Sequence, residues 1–160
     1  AGYKLHDSKC HVVNCPAWTE GSTVPDGCKC WKGYFGTITP STSHPYYTGS
    51  CKSELVGGTF AFHSAAQNRF LKMVHNDLTR SPKRKADKLP DGWGAERFKI
   101  VEGGAARVGI KGTAANQYAM MNHADARSIG HMHDWEKFRV RDEGANEVGL
   151  HNDIHNRFLR

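Results

Sequence analysis

The chain has 160 residues, a net charge of +6, 38% hydrophobic residues and only 5 cysteines. That length holds one domain or two small ones. No apolar run approaches the roughly 18 residues that a membrane helix needs, so a soluble chain without membrane insertion is expected. The basic balance favours acidic partners, but lysine and arginine are scattered, and only "RSPKRKADK" at 80–88 concentrates them.

From the N-terminus, "AGYKLHDSKC" has neither a basic n-region nor an apolar h-region, so a signal peptide is expected to have been removed or to belong upstream. All five cysteines, Cys10, Cys15, Cys28, Cys30 and Cys51, fall in the first third of the chain. A segment rich in Cys, Gly, Pro, Ser and Thr and poor in aliphatic residues buries little core, and disulfides take that role in oxidising compartments. A secreted, extracellular or cell-surface location is therefore expected. Twelve residues separate Cys15 from Cys28, one separates Cys28 from Cys30, and twenty separate Cys30 from Cys51.

The stretch "CKCWKGYFG" resembles the second half of an epidermal-growth-factor-like (EGF-like) module, and the resemblance spans residues 10–51. It implies bridges from Cys10 to Cys28 and from Cys30 to Cys51, with Cys15 unpaired or intermolecular. A differently connected knot with one free thiol is the alternative. The loop before Cys51 is longer than such modules carry, and the first cysteine of the pattern is absent. Only Asp7 stands where a calcium-binding variant clusters its ligands, so no metal or cofactor is expected. Residues 1–51 are assigned to this module and 52–160 to a second domain.

The second domain repeats. Aligned on a shared Asn, the copies are "TFAFHSAAQNRFLKM" at 59–73, "RVGIKGTAANQYAMM" at 107–121 and "EVGLHNDIHNRFLR" at 147–160. A second element, "ERFKIVEGG" from Glu96 and "EKFRVRDEG" from Glu136, closes the first two copies. Repeats of this length signal a symmetric architecture. Apolar residues alternate in Phe60/Phe62, Val108/Ile110 and Val148/Leu150, the pattern of half-buried strands. Asn68, Asn116 and Asn156 lie where a hairpin needs a left-handed residue, which Asn tolerates. Phe70, Tyr118 and Phe158, with Phe98 and Phe138, are expected to plug the core.

These residues resemble the fascin and hisactophilin type of β-trefoil, a six-stranded barrel capped by three hairpins, and the likeness spans 57–160. The expected fold class is therefore mostly β: an EGF-like disulfide module followed by a fascin-like β-trefoil whose third repeat is incomplete. "KSELVGG" at 52–58 is similar to "FKIVEGG" at 98–104, which predicts a permuted closure in which Leu55 and Val56 supply the fourth strand of copy three.

Catalytic motifs are missing. "GAARVGIK" from Gly104 opens a strand and not a phosphate-binding helix, and no nucleophile elbow, H-E-x-x-H or dinucleotide fingerprint occurs. Glu96 and Glu136 precede core aromatics and have no partner for acid–base work. His131 and His133, with His123 nearby, form the one spacing compatible with a metal, but a polar loop before Trp135 is the plainer reading.

The function expected is a non-enzymatic structural or adhesive module of an extracellular assembly, whose partners are other extracellular proteins or further copies of itself. A trefoil lectin is the first alternative, with Trp93, Trp135, His63, His151 and Asn152 as candidate glycan contacts. Actin binding is the second, and the cysteines argue against it. In a third, 80–88 grips anionic polysaccharide; nucleic acid is not expected, since that cluster holds no aromatic for stacking. There is no N-x-[ST] sequon, while Ser and Thr between 37 and 50 are open to O-linked sugar.

Overall fold

The computed structural model describes residues 2–6, 9–13, 15–16, 19–20, 27–43, 46–121, 126–144 and 147–159, with the backbone alone at 2–6, 9–13, 20 and 142. The chain is mostly β and divides into two compact units, Ala1–Glu54 and Leu55–Arg160.

The first unit is built of short hairpins. Strand β1 (Gly2–His6) pairs with β2 (Lys9–Val13), and β3 (Thr19–Glu20) with β4 (Lys29–Cys30). Further on, β5 (Tyr34–Phe35), β6 (Ile38–Pro40), β7 (Tyr47–Gly49) and β8 (Lys52–Ser53) nest as β6–β7 inside β5–β8. Gly33 turns the chain into β5 at φ +80°. Gly36 lies so close to the Ser50 carbonyl that a side chain there would collide with backbone. The pairing of β8 with β5 keeps Lys52 and Ser53 in this unit, so the junction follows Glu54 and not Cys51.

Two bridges brace it, Cys15–Cys28 and Cys30–Cys51. The partner of Cys28 is therefore Cys15, not Cys10, and Cys15 is not the odd cysteine. The Thr19 hydroxyl donates to the Pro16 carbonyl at 2.6 Å, and the Cα of Cys15 lies 5.5 Å from that of Cys28. Cys10 lies in β2, opposite Leu5, and its side chain is outside the described residues.

The second unit runs β9 (Thr59–Phe60), β10 (His63–Ser64), β11 (Arg69–Val74), β12 (Asp77–Arg80), β13 (Phe98–Gly104), β14 (Arg107–Gly112), β15 (Tyr118–Met121), β16 (Ala126–Ile129), β17 (Lys137–Gly144), β18 (Glu147–Asn152) and β19 (Arg157–Phe158). The strands join in one antiparallel sheet ordered β10-β11-β12-β16-β15-β14-β17-β18-β19, with β13 bonded to both β14 and β9. Its repeats are visible in the backbone. Hairpins β13–β14 and β17–β18 share a register shift at Glu102/Gly104 and at Asp142/Gly144. The Leu71 N–H donates to the Phe62 carbonyl as the Leu159 N–H donates to the Leu150 carbonyl, both at 2.8 Å. Asn68, Asn116 and Asn156 stand at φ +52°, +56° and +49°, the left-handed turns that the shared Asn predicts.

The core gathers Met73, Phe98, Ile100, Val108, Ile110, Ala119, Met121, Phe138, Val140 and Leu150. Phe98 and Phe138 are fully buried, each stabilising the fold by about 2–3 kcal/mol. Short 3-10 turns, Gly94–Glu96 and Asp134–Glu136, lead into these phenylalanines. Their glutamates are buried: the Glu136 carboxylate accepts the His133 N–H at 2.7 Å, and that of Glu96 faces Lys72 at 3.9 Å. Both are structural ties.

Two expectations fail here. Leu55 and Val56 do not form a strand for copy three. They lie in a turn packed against the core, where Gly57 takes φ +92°, and the chain beyond it bonds to β13 through Gly57 N–H to Ile100 O and Ile100 N–H to Gly58 O, both 2.9 Å. Nor does Phe158 plug the core: it is 45% exposed, and Val148 is 40% exposed, whereas Phe70 is 3% and Val108 0% exposed. Ser81 N–H donates to Phe70 O at 2.9 Å and Phe70 N–H to the Ser81 hydroxyl at 3.0 Å, extending the β11–β12 ladder by one pair.

Candidate functional site

The repeats place one kind of pair in each copy. His63 faces Phe70, Lys111 faces Tyr118 and His151 faces Phe158 across their hairpins. The His63 and Phe70 rings meet at 4.8 Å, the His151 and Phe158 rings at 4.9 Å, and the Lys111 ammonium sits 5.3 Å from the Tyr118 ring centre. Contacts of a cation or an imidazole edge with an aromatic ring contribute about 0.5–1 kcal/mol each at such sites. In copy three the Phe158 ring lies over Gly149, where a side chain would come within 2.9 Å of it.

Around His151 copy three builds a polar cluster. Its Nδ1 meets Asp153 at 3.0 Å and its Nε2 meets Asn156 at 3.1 Å. The other Asp153 oxygen accepts from the Arg139 guanidinium at 2.8 Å. Both flanks of this ring are engaged within the protein. Asn152 is fully buried: its amide N–H groups reach the carbonyls of Trp135 and Lys137, each at 3.1 Å, and of Asp134 at 3.4 Å, while its oxygen accepts the His155 N–H at 3.0 Å. It ties β18 to the turn before β17, so the expectation that Asn152 contacts a glycan is corrected. Trp135 is 42% exposed and touches the His155 ring edge-on at 5.3 Å. Next to it, the Asp134 carboxyl is held below its ordinary 3.8, first by the hydrogen bond from Lys137 and that residue's charge, then by Arg107 and His133.

Copy one gathers a different group. The His63 ring donates through Nε2 to the Arg84 carbonyl at 2.9 Å, and the Arg84 guanidinium lies 5.8 Å from the centre of the Trp93 ring. Two candidate glycan residues, His63 and Trp93, are thereby joined through a third that only charge clustering hinted at. Trp135 and His151 belong to the other group, in copy three. Arg139 and Asp153 carried no signal in the repeat, because copy two has Lys99 and Thr113 at those positions.

Of the metal candidates, His131 and His133 stack edge-to-face at 4.5 Å, and His123 lies outside the described residues. Among the described residues no group of three His, Cys, Asp or Glu side chains is placed to hold a metal. In the first unit a shallow depression of 450 Å³ is lined by Cys28, Lys29, Cys30 and 34–38. Its lining carries no His, Asp or Glu.

Among the described residues the exposed large hydrophobic side chains are Phe35, Trp135, Val148, Ile154 and Phe158, at 56%, 42%, 40%, 53% and 45% exposure. Four of these five belong to copy three or to the turn bonded to it. Val148 lies on the face of the β18–β19 hairpin that carries Leu150, and Phe158, opposite His151, lies on the other. Strand β19 stands at the end of the sheet order. Compared with known proteins, the chain matches no family model and no curated sequence.

Proposed function

We propose that this chain is a non-enzymatic structural or adhesive module of an extracellular assembly, an EGF-like disulfide unit joined to a fascin-like β-trefoil, which docks further copies of itself through the β18–β19 hairpin. One observation carries this reading: Ile154 in the turn of that hairpin and Trp135 in the turn bonded to it are large apolar side chains 53% and 42% exposed. Exposed large apolar side chains grouped on one surface mark a docking site. The three repeated hairpins with left-handed Asn favour the trefoil. The two disulfides favour an oxidising compartment over the cytosol in which a fascin-like protein binds actin.

Sedimentation velocity over a range of concentrations tests the reading. The wild-type chain is expected to self-associate, and the double variant Trp135→Ser/Ile154→Asp to stay monomeric with unchanged far-UV circular dichroism. A wild-type chain that remains monomeric up to about 0.1 mM, where even weak homotypic contacts with micromolar Kd are populated, contradicts it.

A further inference from the structure

The connection between β12 and β13 in copy one runs from 81 to 97, while its counterpart between β16 and β17 runs only from 130 to 136. The added length is not needed to complete the repeat. Together with Arg80 at the end of β12, it holds the concentrated positive charge of the chain: Arg80, Lys83, Arg84, Lys85 and Lys88 stand within nine residues that contain a single carboxylate, Asp87. All of these side chains are exposed.

Little of that charge is used internally. Arg80 donates to the neutral amide oxygen of Gln67 at 3.2 Å. Lys88 meets Asp87 at 3.7 Å, with both side chains about 70% exposed, where water and salt weaken the pair. Among the described residues neither Lys83 nor Lys85 forms an ion pair.

The backbone that carries these cations is held. The Arg84 N–H donates to the Asn68 carbonyl at 2.8 Å, and the Arg84 carbonyl accepts from His63 at 2.9 Å. The Ser81 carbonyl accepts from the Arg69 guanidinium at 2.6 Å, Lys88 N–H donates to Lys85 O at 3.0 Å, and Trp93 N–H donates to Pro90 O at 3.1 Å. An anchored loop with unpaired cations loses little entropy when a ligand binds.

We propose that the loop 80–88, with Trp93 at its base, is a binding site for an anionic polysaccharide. A linear polymer with repeated sulfate or carboxylate groups matches a row of cations without needing a deep pocket. Single-stranded nucleic acid fits less well, because base stacking needs open aromatic faces, and the one aromatic ring here, Trp93, already faces Arg84. Duplex recognition through the major groove needs a helix or ribbon, and this loop holds only a three-residue 3-10 turn, Ala86–Lys88.

The test uses the full chain with disulfides intact and measures binding to dextran sulfate, neutral dextran and a single-stranded oligothymidine, at salt from about 0.05 to 0.3 M, the range over which screening shortens markedly. Dextran sulfate is expected to bind and to be released by salt, and neutral dextran not to bind. Lys83→Ser/Lys85→Ser/Lys88→Ser should weaken binding about tenfold or more, while the charge-matched control Lys29→Ser/Lys52→Ser/Lys99→Ser should bind nearly as wild type. Equal losses in the two triple variants would show an effect of net charge alone and overturn the site. Absence of dextran sulfate binding, or oligothymidine binding as tight as dextran sulfate, also overturns it.

Discussion

His151 and Phe158 repeat, in copy three, the ring contact that His63 and Phe70 make in copy one, at 4.9 Å and 64° against 4.8 Å and 63°. The local geometry is the same, yet Phe70 is 3% exposed and Phe158 45% exposed. In copy one, residues 81–84 bond to Phe70, His63 and Asn68.

Truncating the two phenylalanines should therefore have unequal effects. Phe70→Ala opens a cavity in a closed region and is expected to cost about 3–5 kcal/mol. Phe158→Ala should cost about 1 kcal/mol or less, since nearly half of that ring is already in water. Urea unfolding midpoints of the two variants read the difference, and equal losses would contradict the burial described.

Asn152 supplies a second test. Replacing it with Ala leaves the carbonyls of Trp135 and Lys137 and the N–H of His155 without their buried partner, a loss of about 1–3 kcal/mol. The thermal midpoint is expected to fall, while dextran sulfate binding at 80–88 stays as in wild type once the variant is folded.

Reduction should act on one unit only. Cys15–Cys28 and Cys30–Cys51 close loops with sequence separations of 13 and 21, and each contributes about 3 kcal/mol in the chain-entropy account. With no cysteine after Cys51 and a core drawn from 73–150, the second unit should keep its amide protection under reductant while 27–53 lose theirs. Loss of protection throughout would contradict two separately stabilised units.

The Asp134 carboxyl gives an acid signature. Its pKa is depressed in the folded chain by the hydrogen bond from Lys137 at 3.1 Å, by the lysine charge and by Arg107 at 3.9 Å. A depressed folded value stabilises above the ordinary pKa of 3.8, and the stabilisation disappears as pH falls through the folded value. Asp134→Asn is thus expected to be less stable than wild type at neutral pH, with the two converging below that value. Urea midpoints measured across this range check it, and a gap independent of pH would contradict the assignment.

Much of the second unit was legible because its signals are local. The shared Asn sets a backbone conformation within its own turn, and Phe98 and Phe138 come directly after matching 3-10 turns that lead into the core. Contacts made by distant parts of the chain were not legible, such as those of Ser81 and Arg84 with Phe70, His63 and Asn68. The same limit applies to Asn152, whose partners lie 15 to 18 residues earlier. The Cys15–Cys28 bridge departs from the EGF-like pattern, and cysteine spacing alone leaves the connectivity open. Arg84 could be reached from the charge cluster, but its pairing with Trp93 depends on how 81–93 folds back.

The central claim, docking through the β18–β19 hairpin, is tested most directly by hydrogen–deuterium exchange of the wild-type chain at low and high protein concentration. Amides of 147–158 are expected to gain protection as concentration rises, while those of 69–80 exchange at an unchanged rate. Exchange at 147–158 that does not depend on concentration would contradict it.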